Sequence, residues 1–210
     1  MDATATLAID PGDHGAGLAV WTRDPGDRWI LRASAAARKP TIGHTTPSGA
    51  AMSLRALLRD AAIAVSAHVW WVVIESHTNP HISRASIDSL AASRRTWEQT
   101  ADLVLHEHTT YFLPAQTWQS GCGIATPKAR GSMGDTKAAA MILASEIMRP
   151  LRPATHDEAD AVVMGDWWLR AGGPRVQEEL AARRKAKRAK HGGWRDPSCI
   201  DALRAKGYVV

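Results

Sequence analysis

Two carboxylates, Asp157 and Asp160, stand three residues apart in a segment whose later positions are largely apolar. If that segment is a helix, the spacing places both side chains on one face, one turn apart. Acids at the start of a helix also complement its positive N-terminal end, so a capping role alone could explain them. Paired carboxylates are equally the oxygen donors that hard divalent cations prefer.

Two more acids follow apolar runs that have the composition of strands. Asp10 comes directly after residues 4–9 and begins an Asp-Pro-Gly tripeptide, which is a common turn sequence and recurs at residues 24–26. Glu75 follows residues 69–74, which are apolar at every position, as in a strand buried on both faces. Side chains at the carboxyl ends of adjacent strands can converge, so we expect Asp10 and Glu75 to join Asp157 and Asp160.

Four buried carboxylates in one cluster repel each other and take up protons unless cations neutralise them. Mg²⁺ is the ion that best suits such oxygen ligands, and Mn²⁺ is expected to substitute for it. Two ions ~4 Å apart can activate a water molecule and stabilise the leaving oxygen in phosphodiester cleavage. The four acids therefore predict a metal-dependent site that cuts phosphodiester bonds. His156 lies four residues before Asp160 and stays open as an alternative ligand.

The elements that must position these acids alternate along the chain. Residues 35–47 and 76–81 are predicted to be loops, and Asp135 or Thr136 is predicted to cap a helix that starts at residue 137. The order of elements predicts an α/β fold with a mixed five-stranded sheet, antiparallel at first and parallel later, flanked by helices on both faces. The patterns predict strands over 4–9, 17–22, 29–34, 69–74 and 109–113, and helices over 48–67, 83–106, 137–148 and from 156 onward.

The spacing of glycines and histidines does not support other cofactor sites. Glycines 12, 15 and 17 do not follow the G-x-G-x-x-G pattern, and residues 121–134 lack the Walker phosphate-loop pattern, so no nucleotide cofactor is expected. His77 and His81 have the spacing of a zinc pair on a helix, but Pro80 would interrupt that helix and no third ligand is apparent.

Composition limits the class of protein and its partners. The chain of 210 residues has a net charge of +5 and a pI near 9.6, which favours an anionic partner. Two cysteines without a C-x-x-C pair are typical of a reducing compartment, so we expect a cytoplasmic protein. The longest apolar run is too short to span a bilayer and no signal sequence is apparent, so no membrane association is expected.

The motifs around the four acids resemble those of RuvC-type Holliday junction resolvases, members of the ribonuclease H-like superfamily. The matching segments are residues 7–12, residues 73–75 and Asp157-x-x-Asp160-Ala161-Val162, and residues 114–119 with the basic loop after them are also similar. The resemblance spans about residues 4–170. It implies a ribonuclease H-like fold, crossover junction endodeoxyribonuclease activity with Mg²⁺, and branched DNA as substrate. By this resemblance the metal-binding catalytic acids are Asp10, Glu75, Asp157 and Asp160, and the phosphate contacts near them are Lys128, Arg130 and Lys137.

The chain differs from that family in two places. The family typically has an aromatic residue shortly after the acid of the fourth strand, used at the centre of the junction, and residues 76–81 contain none. Composition also changes after Gly173, so we expect a nuclease domain over 1–173 and a basic extension over 174–210, an addition that varies among phage-type relatives. The extension is either a solvated surface or an arm that contacts DNA phosphates through Arg183, Arg184, Lys185, Lys187 and Arg188.

We therefore expect a structure-selective DNA endonuclease that resolves Holliday junctions. The alternatives are another ribonuclease H-like nuclease, with RNA–DNA hybrid or flap substrates, and a basic DNA-binding module whose acids are only caps and turns. Two symmetric cuts require two sites, so a twofold homodimer is expected. The helix after Glu75, which carries Trp97, is the favoured interface, and the helix with Trp167 and Trp168 is the other candidate. These tryptophans could instead all belong to the core.

Overall fold

The computed structural model of the chain describes residues 3–12, 15–38, 46–65, 68–76, 84–124 and 133–190. The chain divides into two compact units, Met1–Arg170 and Ala171–Val210. The boundary that the sequence suggests, at residue 173, stays a prediction for the extent of the nuclease domain. The second unit contributes one described helix, α6 (Arg175–Lys190), which contains the basic residues of the extension.

The first unit is built on a five-stranded mixed sheet with the strand order β3-β2-β1-β4-β5. β1 pairs antiparallel with β2 and parallel with β4, β2 pairs antiparallel with β3, and β4 pairs parallel with β5. This confirms the α/β fold predicted from the sequence. The strands are β1 (Ala5–Gly12), β2 (Gly15–Arg23), β3 (Trp29–Arg38), β4 (Trp70–Ser76) and β5 (His108–Pro114). The helices are α1 (Pro47–Asp60), α2 (Arg84–Val104), α3 (Ala115–Gly121), α4 (Met133–Ile147) and α5 (His156–Arg170).

Strands β1 and β4 are covered on both faces of the sheet, which explains why their sequences are apolar at almost every position. Alternate residues of β1, such as Leu7 and Ile9, join a core cluster with residues of α1 and α2. The residues between them, such as Ala8, point to the other face of the sheet, which α5 covers. A Cβ atom added to Gly165 of α5 would lie 3.0 Å from the Cβ of Ala8. Asp10 has the parity of Ala8, so the sheet directs Asp10 toward α5.

The Asp-Pro-Gly tripeptide lies within a strand, so its interpretation as a turn is wrong. Asp10 pairs with Gly17 and Gly12 pairs with Gly15, and β1 therefore continues to residue 12. The parallel pairing of β1 with β4 ends at Ile9, so Pro11, which has no amide hydrogen, lies beyond that ladder. β3 also runs on to Arg38, where a loop was predicted, because residues 35–38 pair with residues 15–18 of β2.

α1 ends at Asp60, seven residues before its predicted end, because a left-handed residue stops it. Ala62 has φ 55°, its amide donates to the carbonyl of Arg59 at 2.9 Å, and the amide of Ile63 donates to that of Leu58 at 2.9 Å. This is the Schellman arrangement, in which the residue after the left-handed one also packs on the last turn. Ile63 and Leu58 are both buried in the same core cluster, so tertiary packing ends the helix where its apolar pattern would have continued.

Two smaller differences concern the helices after β5. α3 was not predicted, because seven residues are too few to show a helical period; it is anchored by Trp118, which is fully buried. α4 begins at Met133, so Asp135 and Thr136 lie inside its first turn and do not precede it as caps. Among the residues that the structure describes, no helix is both long and apolar enough to cross a membrane.

Candidate active site

Asp10 and Glu75 meet where β1 and β4 leave the sheet. The register pairs Ile9 with Ile74, so the two acids follow at equivalent positions on neighbouring parallel strands and face the same side. Both are buried, with 7% and 5% of their surface exposed, and their side chains share a hydrogen bond. Two carboxyl groups can share a hydrogen bond only when one of them carries the proton.

Two glycines allow the first turn of α5 to approach these strands. A Cβ on Gly17, the partner of Asp10 across the β1–β2 ladder, would lie 1.7 Å from the carbonyl oxygen of Asp157. A Cβ on Gly12 would lie 2.9 Å from the Asp157 Oδ2 atom. The glycines after Asp10 therefore provide space for a helix backbone and not a phosphate-binding loop. Because these glycines lie so near Asp10 in the sequence, the close approach of another element at this place could have been predicted.

Electrostatics show that all four predicted acids act on one another. Burial first, and then Glu75 and Asp157, raise the pKa of Asp10 well above its ordinary value, against a lowering by Lys137. Burial raises the pKa of Glu75 to about 7; its hydrogen bond with Asp10 lowers that value, and the charges of Asp160 and Asp157 raise it. Burial, followed by the charges of Asp10 and Asp157, raises the pKa of Asp160 to about 8. The four acids form one electrostatic cluster, here called the acid cluster.

The donor set of the acid cluster fits a hard divalent cation. All its donors are carboxylate oxygens, and their mutual repulsion in a buried position is what a divalent ion relieves. Among the residues that the structure describes, no group of three or more histidines, cysteines, aspartates or glutamates is already arranged to hold a metal ion.

The predicted basic residues fall into three groups. Lys137, exposed on α4, lies close enough to lower the pKa values of Asp10 and Asp160. Lys128 and Arg130 lie outside the described residues. Arg183 and Lys185 are exposed on α6, where Arg183 is 3.8 Å from Glu179. The backbones of Arg184, Lys187 and Arg188 belong to the same helix.

His156, the alternative ligand, is the first residue of α5 and is exposed.

Glu158 was not among the residues predicted from the sequence, and it is buried, with 5% of its surface exposed. Its Oε1 accepts a hydrogen bond from the Ser34 hydroxyl at 2.6 Å, and its Oε2 accepts one from the Ala154 amide at 2.7 Å. The Glu158 amide donates to the Thr155 hydroxyl at 3.1 Å. Thr155-x-x-Glu158 has the sequence of a capping box, which was the available signal. Thr155 thus caps α5, and Asp157 is not required for that role.

Comparison with known proteins identifies solved structures of similar fold. The sequence matches no protein-family model and none of the curated proteins. Among solved structures, RuvC of T. thermophilus in complex with Holliday junction substrate is 12% identical, covers 80% of this chain and 96% of its own, and superposes with a TM-score of 0.53. The fowlpox virus Holliday junction resolvase is 11% identical, with coverage of 80% and 98% and a TM-score of 0.46. The yeast mitochondrial resolvase Ydc2 is 11% identical, with coverage of 79% and 78% and a TM-score of 0.40.

At 12% identity, the similarity to the T. thermophilus protein is one of fold. The T. thermophilus protein shares the mixed five-stranded sheet with its flanking helices over most of both chains. This chain therefore resembles RuvC-type Holliday junction resolvases and has their ribonuclease H-like fold.

Proposed function

We propose that this protein is a metal-dependent endonuclease that cleaves phosphodiester bonds in branched DNA and resolves Holliday junctions. The observation that carries the proposal is the acid cluster: Asp10, Glu75, Asp157 and Asp160 come from two strands and one helix and interact at one edge of the sheet. The similarity in fold to a RuvC solved with junction DNA supports the choice of substrate. The corresponding activity is that of a crossover junction endodeoxyribonuclease.

The acid cluster would hold Mg²⁺, or Mn²⁺ in its place, through Asp10, Glu75, Asp157 and Asp160. Bound there, the ions supply an activated water and charge stabilisation for hydrolysis of the phosphodiester bond. The buried strands exclude bulk water from Asp10 and Glu75, which strengthens their attraction for a cation. Ser93 on α2 donates to the carbonyl of Gly12 at 3.2 Å and so steadies the end of β1 beside Asp10.

Basic side chains would bind the DNA backbone. Lys137 lies near the acid cluster and is exposed, as a phosphate contact must be. Lys128 and Arg130 are proposed for the same role from the family resemblance. α6 contains seven basic and two acidic residues, so its net charge equals the +5 of the whole chain. We assign it a sequence-independent grip on phosphates, because Lys and Arg without interspersed aromatic residues have little means of reading bases.

A homodimer would supply the two sites that symmetric cleavage requires. Two of the three candidate tryptophans cannot form an interface: Trp97 and Trp168 are 1% and 0% exposed, so they belong to the core, whereas Trp167 is half-buried. Near the start of α2 the large apolar side chain of Ile87 is exposed, with 44% of its surface accessible. Because Ser93, six residues later, already contacts the end of β1, Ile87 lies on the part of α2 nearest the carboxyl edge of the sheet. We propose this part of α2 as the dimer interface.

A cleavage assay tests the proposed function. The pure protein is incubated with labelled four-way, three-way, duplex and RNA–DNA hybrid substrates, with Mg²⁺ or with a chelator. We expect metal-dependent cleavage of the four-way junction, and a fall in rate of roughly 10²-fold or more for Asp10→Asn, Glu75→Gln or Asp160→Asn, with DNA binding kept. Glu146→Gln, an exposed acid on α4, is the matched control and should cleave normally.

The other outcomes decide between the alternatives. Cleavage of hybrid but not of junction DNA would identify a different ribonuclease H-like nuclease. Binding without cleavage under any metal would indicate a basic DNA-binding module. If His156→Ala abolishes cleavage and Asp157→Asn does not, His156 replaces Asp157 in the acid cluster.

A further inference from the structure

We infer that Glu158, whose carboxylate is bound outside the acid cluster, is a positioning residue that sets the affinity of the cluster for divalent cations. The inference rests on the proposed function, because it concerns the metal site of the nuclease. Glu158 is one of the two positions that the motif Asp157-x-x-Asp160 leaves unspecified.

The contacts of Glu158 join three parts of the chain. Its Oε1 accepts from the hydroxyl of Ser34 on β3 at 2.6 Å, and its Oε2 accepts from the amide of Ala154, just before α5, at 2.7 Å. A buried carboxylate costs free energy unless hydrogen bonds compensate it, and here both oxygens have neutral donors. An apolar residue would fill the same space at lower cost. The directional bonds to β3 and residue 154 are therefore what Glu158 adds.

Those bonds fix the rotation of α5 about its own axis. Asp160 lies two residues after Glu158, about 200° around the helix. In the sheet, β3 lies on one side of β2, and β1 and β4 lie on the other. Holding Glu158 toward Ser34 on β3 consequently turns Asp160 toward Asp10 and Glu75. Gly17 sets how closely the helix approaches the sheet, and Glu158 sets which way its acids face.

Fixing the rotation matters because α5 carries two of the four acids, Asp157 and Asp160. An ion held by the acid cluster binds more weakly if the helix that carries two of its ligands can turn. Residues that orient metal ligands typically change metal affinity 10–100-fold when they are removed. A simple helix cap, by contrast, would contribute to stability and leave the affinity for metal unchanged.

Calorimetric titration of the full chain with Mn²⁺, without DNA, separates these two roles. We expect Glu158→Ala to weaken Mn²⁺ binding about tenfold or more. Glu158→Gln should stay within about threefold of wild type, because its amide oxygen can accept from Ala154 and its NH₂ group can donate to Ser34. The control is Thr46→Ala, which removes the cap that Thr46 provides to the Gly49 amide of α1 at 3.2 Å. It should lower the melting temperature while leaving Mn²⁺ affinity unchanged.

Every outcome bears on one of the two proposals. If Glu158→Ala binds Mn²⁺ as tightly as wild type, or if Thr46→Ala weakens binding equally, the positioning role is overturned. If Glu158→Ala does not fold, Ser34→Ala, which removes the bond from β3 and keeps the one from Ala154, should show a smaller loss of affinity; unchanged affinity overturns the inference. A wild-type protein that binds no Mn²⁺ and cleaves no DNA would instead refute the proposed function.

Discussion

Three carboxyl groups, those of Asp10, Glu75 and Asp160, are placed where they ionise with difficulty. Burial is the largest cause for each, and the charges of neighbouring acids add to it. Such a cluster costs folding free energy in the absence of metal, because the unfolded chain would ionise the same groups freely. Strongly raised pKa values in a cluster of this kind are typical of functional sites.

The first residue-scale prediction concerns stability against pH in a chelator. The pKa values of Glu75, about 7, and Asp160, about 8, lie above the ordinary value of about 4, so the folded state holds protons that the unfolded state has released. This contribution to stability is present below about pH 4 and is lost as pH rises through the folded-state values. We expect the free energy of unfolding to fall by several kcal/mol between pH 5 and pH 9, up to about 7 kcal/mol for the two groups together.

Urea unfolding at a series of pH values measures this fall. Asp160→Asn should flatten the curve and make the metal-free protein more stable than wild type at high pH. Mn²⁺ should restore wild-type stability more at pH 8 than at pH 5.5, because protons compete with the ion for the same oxygens. A metal-free stability that stays constant over this range would contradict the raised pKa values.

At the scale of single elements, α5 and its contact with β2 decide the geometry of the site. The first turn of the helix carries Asp157 and Glu158, and its backbone presses against Gly17. Further along, a Cβ on Gly165 would lie 2.6 Å from the indole nitrogen of Trp21. Close contacts at both places hold the helix against the sheet, so side chains added there must displace it.

Gly17→Ala tests this contact. The new methyl group would overlap the carbonyl of Asp157, so α5 must shift, and we expect a loss of about 2–3 kcal/mol in stability together with most of the cleavage activity. Gly26→Ala is the control, since its Cβ would lie 3.3 Å from a carboxylate oxygen of Asp24 in an exposed hairpin. Differential scanning calorimetry and the junction assay measure both effects. Normal activity in Gly17→Ala would mean that α5 does not carry catalytic acids.

The second element-scale prediction concerns α6. Truncation after Gly173 removes the helix that contains most of the excess positive charge, so binding should weaken for four-way and duplex DNA alike. The slope of log Kd against log salt should also become shallower, by about 0.9 for each phosphate that α6 neutralises in the full chain. Truncation after Lys190, which keeps α6, is the control. A loss of junction preference with unchanged duplex binding would show that the extension selects the substrate.

At the scale of the whole molecule, resolution of a junction depends on how two copies meet. A single chain supplies one acid cluster, and two symmetric cuts call for a second cluster related by a twofold axis. α2 has exposed apolar residues near both of its ends, Ile87 with 44% and Leu103 with 54% of their surfaces exposed. The two residues lie at opposite ends of α2, so a substitution of Ile87 tests the proposed interface and a substitution of Leu103 is its control.

Ile87→Asp should dissociate the dimer, because a charge at an apolar interface must be desolvated, whereas Leu103→Asp should leave it intact. Sedimentation at micromolar concentration measures assembly, and a cruciform plasmid distinguishes paired cuts from single nicks. We expect Ile87→Asp to nick one strand per encounter. A wild-type monomer that only nicks would refute the assignment as a resolvase and leave a nuclease for branched DNA.

The sequence alone was sufficient to predict the sheet and its strand directions, because β1 and β4 are buried on both faces and so are apolar at almost every position. It also identified Asp10, Glu75, Asp157 and Asp160 as a candidate set, because each follows such a run or repeats at helical spacing. α2 and α5 were likewise predictable from their lengths and apolar positions.

Only the tertiary structure decided the features that depend on contacts between distant residues. The pairing of Asp10 with Gly17 placed Asp-Pro-Gly in a strand, and packing of Ile63 stopped α1. The same holds for the contact of Glu158 with β3: the capping-box spacing from Thr155 indicates a role at the start of α5, but it does not identify a partner on a strand. Ser34, 124 residues away, provides the hydrogen bond that turns Glu158 toward β3, and a partner so distant in the chain is set by the fold and not by local sequence.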